Sequence, residues 1–197
     1  MSNIQLHIDC QEIDEHIKML INALKNVNPI YFGECVHQAS NIDDDSVFQY
    51  AERVFSYELY HQIRKLMGDN CDYYLNAEIQ KDNKLFQCEI KNNCYPDLVL
   101  HKNPYFLEDG QYFLCEIKTA CNKKLLSDLD KLTYFCNSNL GFNEYVFLCL
   151  GISRDELKYE LNKNKSHKPY DDKILCICRK SNYIYVFRLG AIIAHNE

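Results

Sequence analysis

Two hydrophobic periods alternate along this chain. Ile13, Ile17, Leu20, Ile21 and Leu24 recur at steps of three and four. That spacing predicts a helix over 1–28, with Asp9 and Asp14 near its start and Asn28-Pro29 closing it. Phe48, Ala51, Phe55, Leu59, Ile63 and Leu66 repeat the stripe and predict a second helix over 46–67, opened by the acidic run Asp43-Asp44-Asp45 and stopped by Gly68-Asp69-Asn70. Strand-length runs of apolar β-formers follow at 72–80, 86–91, 95–101 and 111–119. Leu125, Leu126, Leu129, Leu132 and Phe135 return to the helical period and predict a helix over 122–137. The continuous apolar run 144–151 reads as a strand covered on both faces, hence central. Ser153-Arg154-Asp155-Glu156 is a capping box opening a helix to about residue 162. The runs 174–179 and 183–189, joined by Lys180-Ser181-Asn182, close the chain as an antiparallel pair. Helix, strands, helix, strand, helix, strands: this order predicts an α/β sandwich around a mixed sheet, one domain over 1–197, with 1–45 a helical addition at its N-terminal side.

One feature breaks the apolar pattern. Within Gln111-Tyr112-Phe113-Leu114-Cys115-Glu116-Ile117-Lys118-Thr119, side chains alternate faces, so Glu116 and Lys118 point one way while Phe113, Cys115 and Ile117 point into a core. A carboxylate and an ammonium in such a strand are costly to bury without partners. Asp97, heading the neighbouring strand after Pro96, is the natural partner. The bland outcome is a buried salt-bridge network of these three residues; the functional one is a reaction centre.

Pro96-Asp97, eighteen residues, then Glu116-Ile117-Lys118, resembles the PD-(D/E)XK motif of the restriction-endonuclease-like superfamily. The resemblance spans roughly residues 48–151. That family also carries a glutamate on the helix before the sheet, and Glu58 is expected in that place. The resemblance implies a restriction-endonuclease-like mixed β-sheet flanked by helices. It implies a Mg2+-dependent nuclease, with Mn2+ able to substitute, acting on DNA rather than RNA. Glu58, Asp97 and Glu116 are then the metal ligands, with Lys118 completing the catalytic set. Carboxylate oxygens suit a hard cation, and a bound cation acidifies water and shields charge developing on a phosphodiester. Gln62, a turn beyond Glu58, and Lys123 and Lys124, at the start of the following helix, are candidate substrate contacts. The alternative is a domain of the same fold that binds nucleic acid or protein without cutting.

Charge bears on that choice. The chain carries a net charge of −6, whereas polyanion binding usually leaves a basic footprint. The nuclease reading therefore needs basic residues clustered locally, as at Lys123, Lys124 and Lys131 or at Lys163, Lys165 and Lys168. Eleven cysteines without a CxxC pair predict free thiols in a reducing cytoplasm. Cys176 and Cys178 are expected on one face of a strand, in the core. No histidine or cysteine pair has zinc-finger spacing, and no Gly-X-Ser-X-Gly elbow or phosphate-cradling glycine loop occurs. His61 and His101 are open between substrate contact and packing, and Glu78 is expected to be structural. No apolar run is long enough to cross a bilayer, and a homodimer is compatible with the pattern.

Overall fold

The strand predicted to be central is central. β5 (Glu144–Leu150) is buried at every position and has three strands on each side. In the computed structural model, which describes residues 3–31, 45–69, 72–77, 95–102, 110–119, 125–138, 140–163 and 172–193, the remaining strands are β1 (Gln5–Asp9), β2 (Tyr74–Ala77), β3 (Leu98–His101), β4 (Gln111–Thr119), β6 (Ile174–Lys180) and β7 (Tyr183–Arg188). The helices are α1 (Glu15–Asn26), α2 (Asp45–Met67), α3 (Leu125–Asn137), α4 (Arg154–Lys163) and the short α5 (Gly190–Ile193), with a 3-10 turn at Pro29–Tyr31.

Among the described residues the strands form one mixed sheet, ordered β1-β7-β6-β5-β4-β3-β2. β4, β5 and β6 run parallel, and β1 is parallel to β7. The pairs β2–β3, β3–β4 and β6–β7 are antiparallel. Helices cover both faces. On one, α1 and α2 set Leu20, Leu24, Phe55, Leu59 and Ile63 against Phe113, Cys115, Ile117 and Leu148. On the other, α3 and α4 set Leu129, Leu132, Phe135 and Leu157 against Leu114, Phe147, Cys149, Cys176 and Cys178. The described cysteines are free, and Cys176 and Cys178 lie in the core as expected. Among the described residues no helix is long and apolar enough to cross a membrane.

Three expectations change. The helix predicted over 1–28 begins only at Glu15. Gln5–Asp9 instead forms edge strand β1, because five residues of extended chain find hydrogen-bonding partners along β7, from Gln5 opposite Tyr183 to Asp9 opposite Phe187. Asp14 caps α1, accepting from the His16 backbone N–H at 2.7 Å, and the His16 ring stacks on Tyr112 with centroids 3.8 Å apart, pinning α1 to β4. Leu66, read as part of the α2 stripe, is 44% exposed, and in that last turn Met67 is the residue packed against the core. β3 begins at Leu98, so Asp97 sits in the bend just ahead of the strand. The strand predicted over 86–91, together with Glu78, Lys123, Lys124 and 164–168, lies outside the described residues.

Candidate functional site

The site is held in place by the layers on each side of β4. Phe55, Leu59 and Ile63 of α2 are fully buried. Each such side chain contributes about 1.5–3 kcal/mol by leaving water, so the helix has little freedom to rotate over the sheet. At 100° per residue, Glu52 falls within the arc spanned by those three residues, while Glu58 lies about 60° outside it. The α2 carboxylate that meets the motif strand is accordingly Glu52. Its Oε2 lies 3.5 Å from the Lys118 ammonium and accepts from the Thr119 backbone N–H at 3.4 Å. Glu58, half-buried, accepts from Gln62 at 2.7 Å one turn along its own helix.

Asp97 and Glu116 come close together, while Lys118, on the same strand as Glu116, is paired with Asp128 and Glu52. Continuing the Leu98–Cys115 pairing by one residue puts Asp97 opposite Glu116. Asp97 Oδ2 accepts from the Ile117 backbone N–H at 2.6 Å, fixing the carboxylate against the motif strand. Glu116 is only 2% exposed and Lys118 5%. Helix α3 supplies the complement. Its Asp128 lies 2.7 Å from Lys118 and its Lys131 2.8 Å from Glu116 Oε2. Residues three apart on a helix are neighbours on its surface, and residues two apart on a strand share a face. Asp128 and Lys131 therefore present opposite charges, in matching spacing, to Lys118 and Glu116. The Lys131 ammonium also donates to the Tyr95 carbonyl, two residues before Asp97.

Burial sets the electrostatics. It pushes the Asp97 carboxyl up to about 6, and the Ile117 hydrogen bond and the Lys131 charge only partly offset that. Burial, reinforced by the Asp97 charge, pushes Glu116 well above the usual carboxylate range. Glu52 is raised by burial as well. Burial works against both ammonium groups, but the Asp128 and Glu52 contacts raise Lys118, and the Glu116 charge raises Lys131. The cluster thus holds its lysines charged while two adjacent acids resist ionisation. Glu116 Oε1 is buried and has no hydrogen-bond partner among the described residues.

Among the described residues, no group of three or more His, Cys, Asp or Glu side chains is arranged to hold a metal ion. The donor chemistry nevertheless fits a hard divalent cation in two respects. Asp97 and Glu116 supply two carboxylates near enough to act on each other, and Glu116 Oε1 has no hydrogen-bond partner among the described residues.

Sequence reasoning missed Glu52 and Asp128 and placed Lys131 on a phosphate-facing surface. The signal for Glu52 was present: unlike Glu58, it lies inside the apolar arc of α2. The signal for Asp128 and Lys131 was their spacing, which mirrors Glu-X-Lys with the signs reversed. His61 is exposed on α2, and His101 is packed at the end of β3, with its Nε2 2.7 Å from Asn76 Nδ2.

Comparison with family models, with curated proteins and with solved structures finds no match to this chain. The class that the architecture defines is a mixed α/β protein with a seven-stranded mixed sheet flanked by helices.

Proposed function

We propose that this chain is a metal-dependent phosphodiesterase of the PD-(D/E)XK type, acting on nucleic acid, DNA before RNA. The observation that carries the reading is the closeness of Asp97, in the bend before β3, to Glu116 of β4, with Glu116 Oε1 buried and unpartnered among the described residues. Structural ion pairs ordinarily use both carboxylate oxygens, since an unsatisfied buried acceptor costs about 1–3 kcal/mol. The order α2, β2, β3, β4, α3, β5 supports it too. It places an acid-bearing helix ahead of the two motif strands and a parallel crossover after them, as the resemblance implies.

In this reading Asp97 and Glu116 would hold the cation, and Glu52 meets the cluster from the helix where Glu58 was expected, but stands on Lys118 and not on the cation. When bound, the cation supplies an acidified water and shields charge on the phosphate. Asp97 is oriented by the Ile117 N–H, so its second oxygen is aimed rather than free to rotate. Lys118 is kept charged by Asp128 and Glu52 and offers a donor to the attacking water or to a phosphate oxygen.

Two observations favour the second reading, a binding domain with the same fold. The net charge is −6, and Lys131 and Lys118 already stand against the acids of the cluster. The test is cleavage of single- and double-stranded DNA and RNA with Mg2+ or Mn2+ by the unmodified chain and by D97N, E116Q and K118M. Loss of at least about a hundredfold in each variant, with folding retained, is expected of groups stabilising the transition state. Activity undiminished in all three removes the assignment. No cleavage by the unmodified chain, with nucleic acid still bound, selects the binding domain.

A further inference from the structure

The two lysines of the cluster are held differently. Lys118 is gripped by Asp128 and Glu52, and its side chain is 6% exposed. Lys131 stands on Glu116 itself, at 2.8 Å, and its side chain is 21% exposed. Its other contact is the Tyr95 carbonyl, two residues before Asp97, so one ammonium ties Glu116 to the segment that carries Asp97. Among the described residues Glu116 Oε1 has no hydrogen-bond partner. An ammonium and a dication cannot share one buried carboxylate at close range without strong repulsion, because the interior screens charge poorly.

We propose that Lys131 is the resident counter-cation of Glu116, and that a divalent cation entering between Asp97 and Glu116 displaces it from Oε2 toward solvent. This rests on the metal-dependent reading above. Lys131 is then a positioning residue that sets how tightly the site takes metal. Lys118, held by carboxylates that are not shared with the cation, stays where it is.

Manganese titration of chelator-stripped protein, followed by thermal shift, tests this in the full chain and in K131Q and K118Q. Removing a charged hydrogen bond that metal must otherwise break is expected to lower the manganese midpoint of K131Q about tenfold. K118Q, which removes the same charge without touching Glu116, is expected to move it clearly less. Acetylation of lysines in the unmodified protein, read by mass spectrometry, gives a second readout that needs no variant. Labelling of Lys131 is expected to rise when manganese is added, and labelling of Lys118 to stay low. Manganese stabilisation with equal midpoints in the unmodified chain and K131Q overturns the displacement and leaves the metal reading standing. So does equal tightening in K131Q and K118Q, or unchanged labelling of Lys131. Absence of manganese stabilisation in every protein overturns the metal reading and the displacement together. If K131Q does not fold, the labelling alone decides.

Discussion

Glu116 and Glu144 are carboxylates buried in neighbouring strands of one sheet, and the fold treats them in opposite ways. Glu144, 9% exposed at the start of β5, is met by Arg188 through both oxygens, with N–H donors at 2.6 and 2.8 Å. That bidentate fork satisfies the carboxylate completely. The hydrogen bond to Glu144 also raises the Arg188 guanidinium above its usual range. Glu116, more deeply buried, has one oxygen on a lysine and the other on nothing. It shares its surroundings with a second raised acid, Asp97. The first arrangement is closed and explains itself as structure. The second is open, and a protein that needed only a salt bridge at that point had the closed solution available one strand away.

The largest effect expected from this contrast is on stability. R188A leaves Glu144 buried without its fork. Breaking a buried pair from one side costs about 3–5 kcal/mol, and partial exposure of Arg188 brings the expected loss to about 3 kcal/mol. E116Q replaces a buried carboxyl that resists ionisation and is only half satisfied, so it is expected to leave stability unchanged or to raise it by about 1 kcal/mol. Urea denaturation of both variants in chelator measures the difference. If E116Q costs as much as R188A, Glu116 is an ordinary structural partner and the open site loses its physical basis.

The pH dependence is expected to be smaller and of definite sign. The Asp97 carboxyl goes from 3.8 in the unfolded chain to about 6 in the native one. Between those values the native state binds more protons than the unfolded state, so this group makes stability fall as pH rises from about 4 to about 6 and level off above. Glu116 acts in the same direction. A two-unit shift converts to an upper limit near 3 kcal/mol, and about 2 kcal/mol is expected after partial exposure. D97N is expected to lose this slope. Urea midpoints at pH 4.5 and 7.5, without metal, compare the two proteins. Parallel pH profiles would remove the argument that burial holds the Asp97 carboxyl raised.

The closed half of the molecule was largely legible in sequence, and the open half only in part. The β5 run and the helix stripes predict themselves, because a period of two or 3.6 is written in consecutive residues. Asp97, Glu116 and Lys118 were legible for the same reason: strand alternation put the last two on one face, and Pro-Asp headed the partner strand. Glu58 was named and Glu52 missed because both lie on one helix, and only the arc defined by Phe55, Leu59 and Ile63 separates them. β1 was hidden because its pairing is with β7, more than 170 residues away, and five residues of half-alternating sequence carry no such information. The Glu144–Arg188 fork was invisible for that reason too.

The smallest effect concerns a third acid. Glu156 closes locally and in the open. It accepts from the Ser153 hydroxyl at 2.9 Å and from its backbone N–H at 2.8 Å, and it pairs with Lys180. The Lys180 hydrogen bond holds its carboxyl below the usual range. The stabilisation is therefore present above about pH 4.5 and is lost as pH falls through the native value, the reverse of Asp97. S153A removes the cap of α4 and is expected to cost about 0.5–1 kcal/mol, with E156Q costing less, since exposed pairs contribute little. The same urea assay ranks these against R188A. A cap loss equal to that of R188A would mean that burial is not what separates the carboxylates of this sheet. The predicted order, a buried fork above an exposed cap and Glu116 apart from both, follows from burial and partner count alone.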